Sequence, residues 1–174
     1  KHKIGAHDVA EYILATVGGC TNLKLQKLVY FAFEDYLLKT GKRLFLEPIS
    51  AFQLGPVVRE LYNTYKKYGK DPINPYDDSG YEQESDQYLE LKNQNGNRSK
   101  VSSVRSKFLA VKSGVDMIES IENTIKKYGH KSASQLVTIS HEEGSPWHIT
   151  WYRNTVSDEI TTEIILGSKL INWK

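Results

Sequence analysis

Between Thr21 and Gly41 runs one uninterrupted helical signal, TNLKLQKLVYFAFEDYLLKTG. Thr21 and Asn22 are both good N-caps, and Gly41 is a natural left-handed C-cap. Leu25, Leu28, Val29, Ala32, Tyr36 and Leu37 recur at three- and four-residue spacing, which puts them on one helical face. A chain with such a long apolar helix must surround it with other elements. A second helix is read from Gly55-Pro56 to Gly69, with Pro56 at the first helical position, where its missing N–H costs nothing. Val57, Val58, Leu61, Tyr62, Tyr65 and Tyr68 would supply its apolar positions. Leu44 to Phe52, interrupted by Pro48, predicts an edge strand or small hairpin between the two helices.

The other helices follow the same grammar. Asp8 to Val17 reads as a first helix, capped by Asp8 with Glu11 as reciprocal partner, an inner stripe of Val9, Tyr12, Ile13 and Thr16, and a stop at Gly18-Gly19. Ser113 to Gly129 reads as another, with a capping-box-like Ser113/Asp116 start and Val115, Ile118, Ile121, Ile125 and Tyr128 inward. Ser132 and Gln135 form a capping box for a short helix to about Ser140. Glu142 to Tyr152 reads as a loop rich in Pro and Trp. A last helix is expected from Ser157 through Leu166, although β-branched Thr161, Thr162, Ile164 and Ile165 also permit a strand. The endings YKKYG and IKKYG at Gly69 and Gly129 need no internal repeat, because lysine suits a helix C-terminus and glycine ends helices.

The expected class is therefore mainly α: one multi-helix domain over residues 1–174, with a small β hairpin or edge strand and a polar insertion at about 71–112. In that insertion acidic residues run from Asp71 to Glu90, followed by a basic run from Arg98 to Lys112. Blocks of opposite sign can lie against each other or steer a partner. Asn95-Gly96 after Tyr88–Leu91 predicts a hairpin, with a loop as the competing reading, and Ser103 to Val111 a short helix. The stretch Asp71–Lys112 is expected to be the least rigid part of the chain.

The 174 residues carry a net charge of only +2, which argues against a dedicated nucleic-acid binder. A single cysteine, Cys20, excludes an internal disulfide framework and suits a reducing, cytoplasmic location. There is no apolar run of membrane-spanning length and no secretory leader, so no membrane association is expected. The sequence opens on Lys1 and not on methionine, so its native start is expected to have been removed or replaced. His130, His141 and His148 lack known zinc spacings, and Cys20 sits in a plain helix junction, so neither a metal nor a catalytic nucleophile is expected. Without a Walker-type loop or a GxGxxG string, no cofactor is expected either. Trp147 is expected to fold back and close the domain with its indole N–H satisfied locally, and His141 to hold its loop by capping or a side-chain hydrogen bond.

The strings LKLQKLVYFA, LF-E-I-AF, GPVV-ELY and SHEEGSPW, in that order from about Asp8 to Trp147, resemble the Panacea domain family, which includes SocA-like antitoxins and phage-associated GepA-like proteins. Two departures stand in the last string: Ser140 precedes His141 where the family has threonine, and Ser145 is extra before Pro146. The resemblance implies a helical, non-enzymatic antitoxin that neutralises a cognate toxin by direct binding. A proteolytic adaptor delivering the toxin to a protease is a related reading. A DNA-binding autoregulator is the other class, favoured by the basic run and by a helix-turn-helix-like pair at Ser113–Gly129 and Ser132–Ser140. The matched positions Leu25, Lys27, Leu28, Gly55, Pro56, Val57 and Pro146 are implied to be structural. Connectors carry side chains that packing does not require. The two matching connectors, Leu44–Pro56 and Glu142–Trp151, are therefore expected to lie together. Phe52, Gln53, Arg59, His141, Trp147 and Trp151 would border one partner-binding face.

Overall fold

A computed structural model of the chain describes residues 3–75, 100–153 and 156–171. It is mainly helical, with one two-stranded antiparallel sheet. Helix α1 spans Ala6–Val17 and α2 spans Asn22–Thr40. Strands β1 (Ser50–Phe52) and β2 (Gly55–Val57) form a hairpin, and α3 (Arg59–Tyr65) runs on into a 3-10 turn at Lys66–Tyr68. Then come α4 (residues 100–109), α5 (Gly114–Tyr128), α6 (Ala133–Ser140), α7 (Pro146–Tyr152) and α8 (Thr162–Ile171). Among the described residues no helix is long and apolar enough to cross a membrane.

Helix α2 is the axle: α1, α3, α5, α6, α8 and β2 all pack on it. Its caps are those its sequence predicts, Thr21 accepting from the Lys24 N–H and Gly41 in the left-handed region. Its burial is wider than one face. Every residue from Leu25 to Phe33 is buried, because elements cover it all round. That encirclement takes two polar side chains, Gln26 and Lys27, out of water. Lys24 reaches the other way and donates its Nζ–H to the Gly129 carbonyl at 2.6 Å, satisfying the open end of α5.

Several boundaries differ from expectation. Helix α1 starts earlier, with Gly5 as N-cap, and Asp8 sits three residues in, accepting the Gly5 N–H at 2.9 Å. Asp8 is thus the reciprocal acid of that cap, the role expected of Glu11. Thr16 is exposed and bonds back to the Tyr12 carbonyl. The expected helix start at Gly55-Pro56 is instead β2, paired Phe52 to Gly55, Ala51 to Pro56 and Ser50 to Val57. Gly55 has φ +107°, which no helix accepts, and α3 begins only at Arg59. Ser113 makes no side-chain cap, because the chain folds tightly there: a Cβ on Gly114 would lie 1.7 Å from the Phe108 carbonyl oxygen. Val115 points away from the inner face of Ile118 and Ile121 and is exposed.

Two further corrections concern the C-terminal third. The expected loop over 142–152 contains α7, with Ser145 accepting from the His148 N–H and Pro146 at the first position. The added serine before Pro146 is therefore the cap of that helix. The last helix starts at Thr162 and not at Ser157, because residues 158–160 run along β1. The Ala51 N–H donates to Asp158 O and the Ile160 N–H to Ile49 O, both at 2.8 Å.

The stretch 71–112 is not uniform. Ile73 is buried and its N–H bonds to Cys20 O, while α4 buries Val104 and Phe108. Arg105 pairs with Glu122 at 2.6 Å and Lys107 with Glu11 at 3.3 Å. The opposite charges that engage this part of the basic run thus come from α1 and α5. The expected Asn95-Gly96 hairpin lies outside the described residues.

Candidate functional site

The hairpin turn, the start of α3, the end of α6 and α7 are joined by ring and hydrogen-bond contacts. The chain of contacts starts at Phe52. Its ring lies under the Arg59 guanidinium, 4.9 Å from ring centroid to Cζ, and meets Tyr62 edge-on at 5.9 Å. Its carbonyl accepts the Trp147 indole N–H at 2.7 Å. Trp147 in turn stacks on His141 at 3.7 Å with the rings 7° from parallel, and on Trp151 at 5.4 Å. Five of the six candidate residues are therefore linked. The sixth, Gln53, is exposed in the hairpin turn beside Leu54.

These side chains divide by exposure. Trp147 is 4% exposed and closes the domain, its N–H satisfied as expected. Trp151 and Leu54 are 41% and 52% exposed, and Tyr62 and Tyr152 are exposed too. Tyr62 was expected at the core or its edge. The buried side of α3 is instead Leu61 with Tyr65, since Val57 and Val58 belong to the hairpin and its exit. His141 is the C-cap residue of α6, its N–H bonding to Val137 O, and its ring stacks on Trp147; its Nε2 is buried without a partner among the described residues.

Arg59 forms an ion pair with Asp158 and donates from Nε to Ser50 Oγ at 3.2 Å. Its charge is thereby compensated, and the exposed side chains near it include Leu54, Tyr62, Trp151 and Tyr152, with Gln53 in the turn. Neither edge of the hairpin is free. Residues 158–160 take β1, and α2 takes β2: the Lys27 Nζ–H donates to Pro56 O at 3.0 Å, and Gln26 Oε1 accepts the Val58 N–H at 2.9 Å. Strand addition by a partner has no template here, so contact must come through side chains.

Lys27 is 0% exposed, and burial drives its pKa down to about 7. Gly55 makes room for it: a Cβ there would fall 2.6 Å from Lys27 Cε and 2.7 Å from Ser140 Oγ. A Gly55→Ala variant combines that clash with a left-handed φ. It is expected to lose about 2 kcal/mol or more of stability, read by urea unfolding. Sequence reasoning placed Lys27 and Gly55 as structural motif positions but missed that they touch. The only local sign was two polar residues inside an apolar helix.

Elsewhere, burial pushes the Cys20 thiol up to about 12, so it stays protonated and unreactive near neutral pH. Among the described residues no three His, Cys, Asp or Glu side chains gather so as to hold a metal ion.

With this geometry established, comparison with known proteins gives the class. The profile described as "Antitoxin SocA-like, Panacea domain" matches residues 25–148, from the buried face of α2 to His148 on α7. The chain belongs to this SocA-like Panacea domain family. A curated relative, Antitoxin SocA of Caulobacter vibrioides (strain NA1000 / CB15N), is 30% identical over 129 residues. The match takes in 74% of this chain and 58% of that relative, so the chain spans rather more than half of the relative's length. No solved structure matches it significantly.

Proposed function

We propose that this protein is an antitoxin that neutralises a cognate toxin by direct protein–protein binding, through the face of Phe52, Arg59, Trp151 and their exposed neighbours. The observation that carries the choice of face is its cluster of exposed aromatic side chains, mounted on a hairpin with both edges occupied. Aromatic and arginine side chains dominate the energetics of protein interfaces. Family membership and the name of the curated relative support the antitoxin role. The reading includes action by binding and not by catalysis, and a cytoplasmic location, which the lone thiol suits.

The DNA-binding alternative loses its sequence arguments. Helix α6, the would-be recognition helix, carries no Arg or Lys. Within the basic run, Arg105 and Lys107 already pair with Glu122, Asp8 and Glu11. Delivery to a protease would add a second partner, and no observation favours it.

The test is co-expression with a candidate toxin gene, scoring growth rescue and co-purification. Arg59→Ala separates binding from folding. Its exposed ion pair is worth at most about 1 kcal/mol of stability. The same variant should weaken toxin binding by about 2 kcal/mol if Arg59 is an interface anchor. Calorimetric titration and thermal unfolding of one preparation measure both.

A further inference from the structure

We propose that the groove between α7 and α8 is a second contact for the toxin, and that it takes an apolar side chain of the toxin with a carboxylate beside it. The proposal rests on the reading of the aromatic face as the toxin contact, which it extends around α7.

Two helices build the groove. Ile149 of α7 and its C-cap residue Arg153 line it with Glu163, Ile164, Gly167 and Ser168 of α8, around an open volume of 220 Å³. Pockets that hold drug-sized molecules run from about 300 to 1,000 Å³. This smaller, open groove suits one side chain of a protein partner and not a small molecule. Its place on α7 joins it to the aromatic face. Successive residues of a helix turn by about 100°. Trp151, Tyr152 and Arg153 thus lead round α7 from the face to the groove, and all three are exposed. Tyr152 stands between the two, its ring 6.4 Å from Trp147 and 4.7 Å from His148. A partner seated on Trp151 therefore reaches the groove without leaving the surface of α7.

Neither backbone nor packing asks for glycine at position 167. The residue lies inside α8, where glycine is a poor helix former. Its φ is outside the left-handed region, and a Cβ there would meet nothing within 4 Å. What the glycine does provide is an open floor to the groove, flanked by Ile149 and Ile164. The two rim charges select the chemistry of the occupant. The Glu163 backbone N–H and then the Thr162 hydroxyl hold the Glu163 carboxyl below its usual range, so that acid is served within α8. Arg153 is in no ion pair among the described residues. The charge that the rim offers a partner is therefore positive and lies on the α7 side. A carboxylate of the toxin pairs with it there, away from Glu163, while the neighbouring apolar side chain fills the floor.

The first test needs no toxin. In an open groove Gly167→Ala, the better helix former, should raise the unfolding temperature. No rise would overturn the proposal, by showing that the space is not open to a side chain. The probe for binding is the purified toxin that rescues growth in the co-expression above. Gly167→Leu fills the groove and should weaken binding of that toxin by about tenfold or more. Arg153→Glu, at an exposed position that leaves folding intact, should weaken it by about as much, and by less at high salt, where the charges are screened. Wild-type affinity in folded Gly167→Leu would overturn the groove as a contact. Wild-type affinity in Arg153→Glu would overturn the carboxylate, and it decides the matter alone if Gly167→Leu does not fold. Trp151→Ala separates this proposal from the reading beneath it. If Trp151→Ala alone weakens binding, the aromatic face stands and the groove falls. If the groove variants alone weaken it, the groove stands and the face falls.

Discussion

Replacing Trp147 by alanine is expected to lower stability by about 3–5 kcal/mol, the usual cost of removing a large buried aromatic side chain. The residue is 4% exposed and carries the stacks on His141 and Trp151, an edge contact with Tyr152 and the hydrogen bond to Phe52 O. Losing the indole also strips the donor from a carbonyl in the hairpin. Urea unfolding followed by far-ultraviolet circular dichroism reads the loss without relying on tryptophan emission. Toxin neutralisation should fall with it, but only as a consequence of folding. A loss below about 1 kcal/mol would mean that Trp147 does not close the domain, since fully burying such a side chain contributes more than that.

The second large effect is on the pH dependence of stability. The pKa of Lys27 is about 7 in the folded chain against 10.5 for an exposed lysine. The unfolded chain therefore binds the extra proton between these values, and stability rises with pH across that window. Below the folded value the penalty is present in full. From pH 7 to pH 9 the relief is about 2 kcal/mol, close to one proton over two pH units. Above about pH 9 other groups reverse the trend. Burial holds Cys20, Tyr12 and Tyr65 protonated to about 12 in the folded chain, while in the unfolded chain they ionise from 9.0 or 10.0. The folded chain then holds more protons than the unfolded one, so stability falls as pH climbs further and should peak near pH 9. The wild type minus Lys27→Met difference isolates the lysine. That difference should shrink as pH rises from 7 to 9, and a flat difference would contradict the burial of a titrating Lys27.

The grammar of caps read most of the helices correctly, because caps are local. Thr21, Gly41, Gly18 and the Ser132/Gln135 box all do what their sequence context demands. The same grammar misled at Pro56 and was overlooked at Pro146. Both prolines suit a first helical position, yet only Ser145-Pro146 opens a helix. What decides Pro56 is remote: its carbonyl goes to Lys27 on α2, and Gly55 is held at φ +107° with the Lys27 side chain where a Cβ would stand. No window of local sequence contains that contact. The pairing of residues 158–160 with β1 is hidden for the same reason, so those residues read as the acidic start of a helix. Five of the six candidate residues are joined in one set of contacts, although Trp147 and Trp151 stand on α7 and not in a connector. Tyr62 and Tyr152 were missed because exposure depends on how α3 and α7 are rotated, and Leu54 because the hairpin turn was not placed. Periodicity cannot give that rotation once a helix boundary is misplaced.

The most direct test of the central claim is the affinity of the Trp151→Ala variant for the cognate toxin, measured on protein whose unfolding temperature matches the wild type. Trp151 is 41% exposed and stacks on Trp147 from outside, so its removal leaves the core whole. The account predicts a loss of about 2 kcal/mol or more in binding, roughly 30-fold in the dissociation constant. Unchanged affinity in a fully folded variant would contradict it and move the toxin contact away from this face.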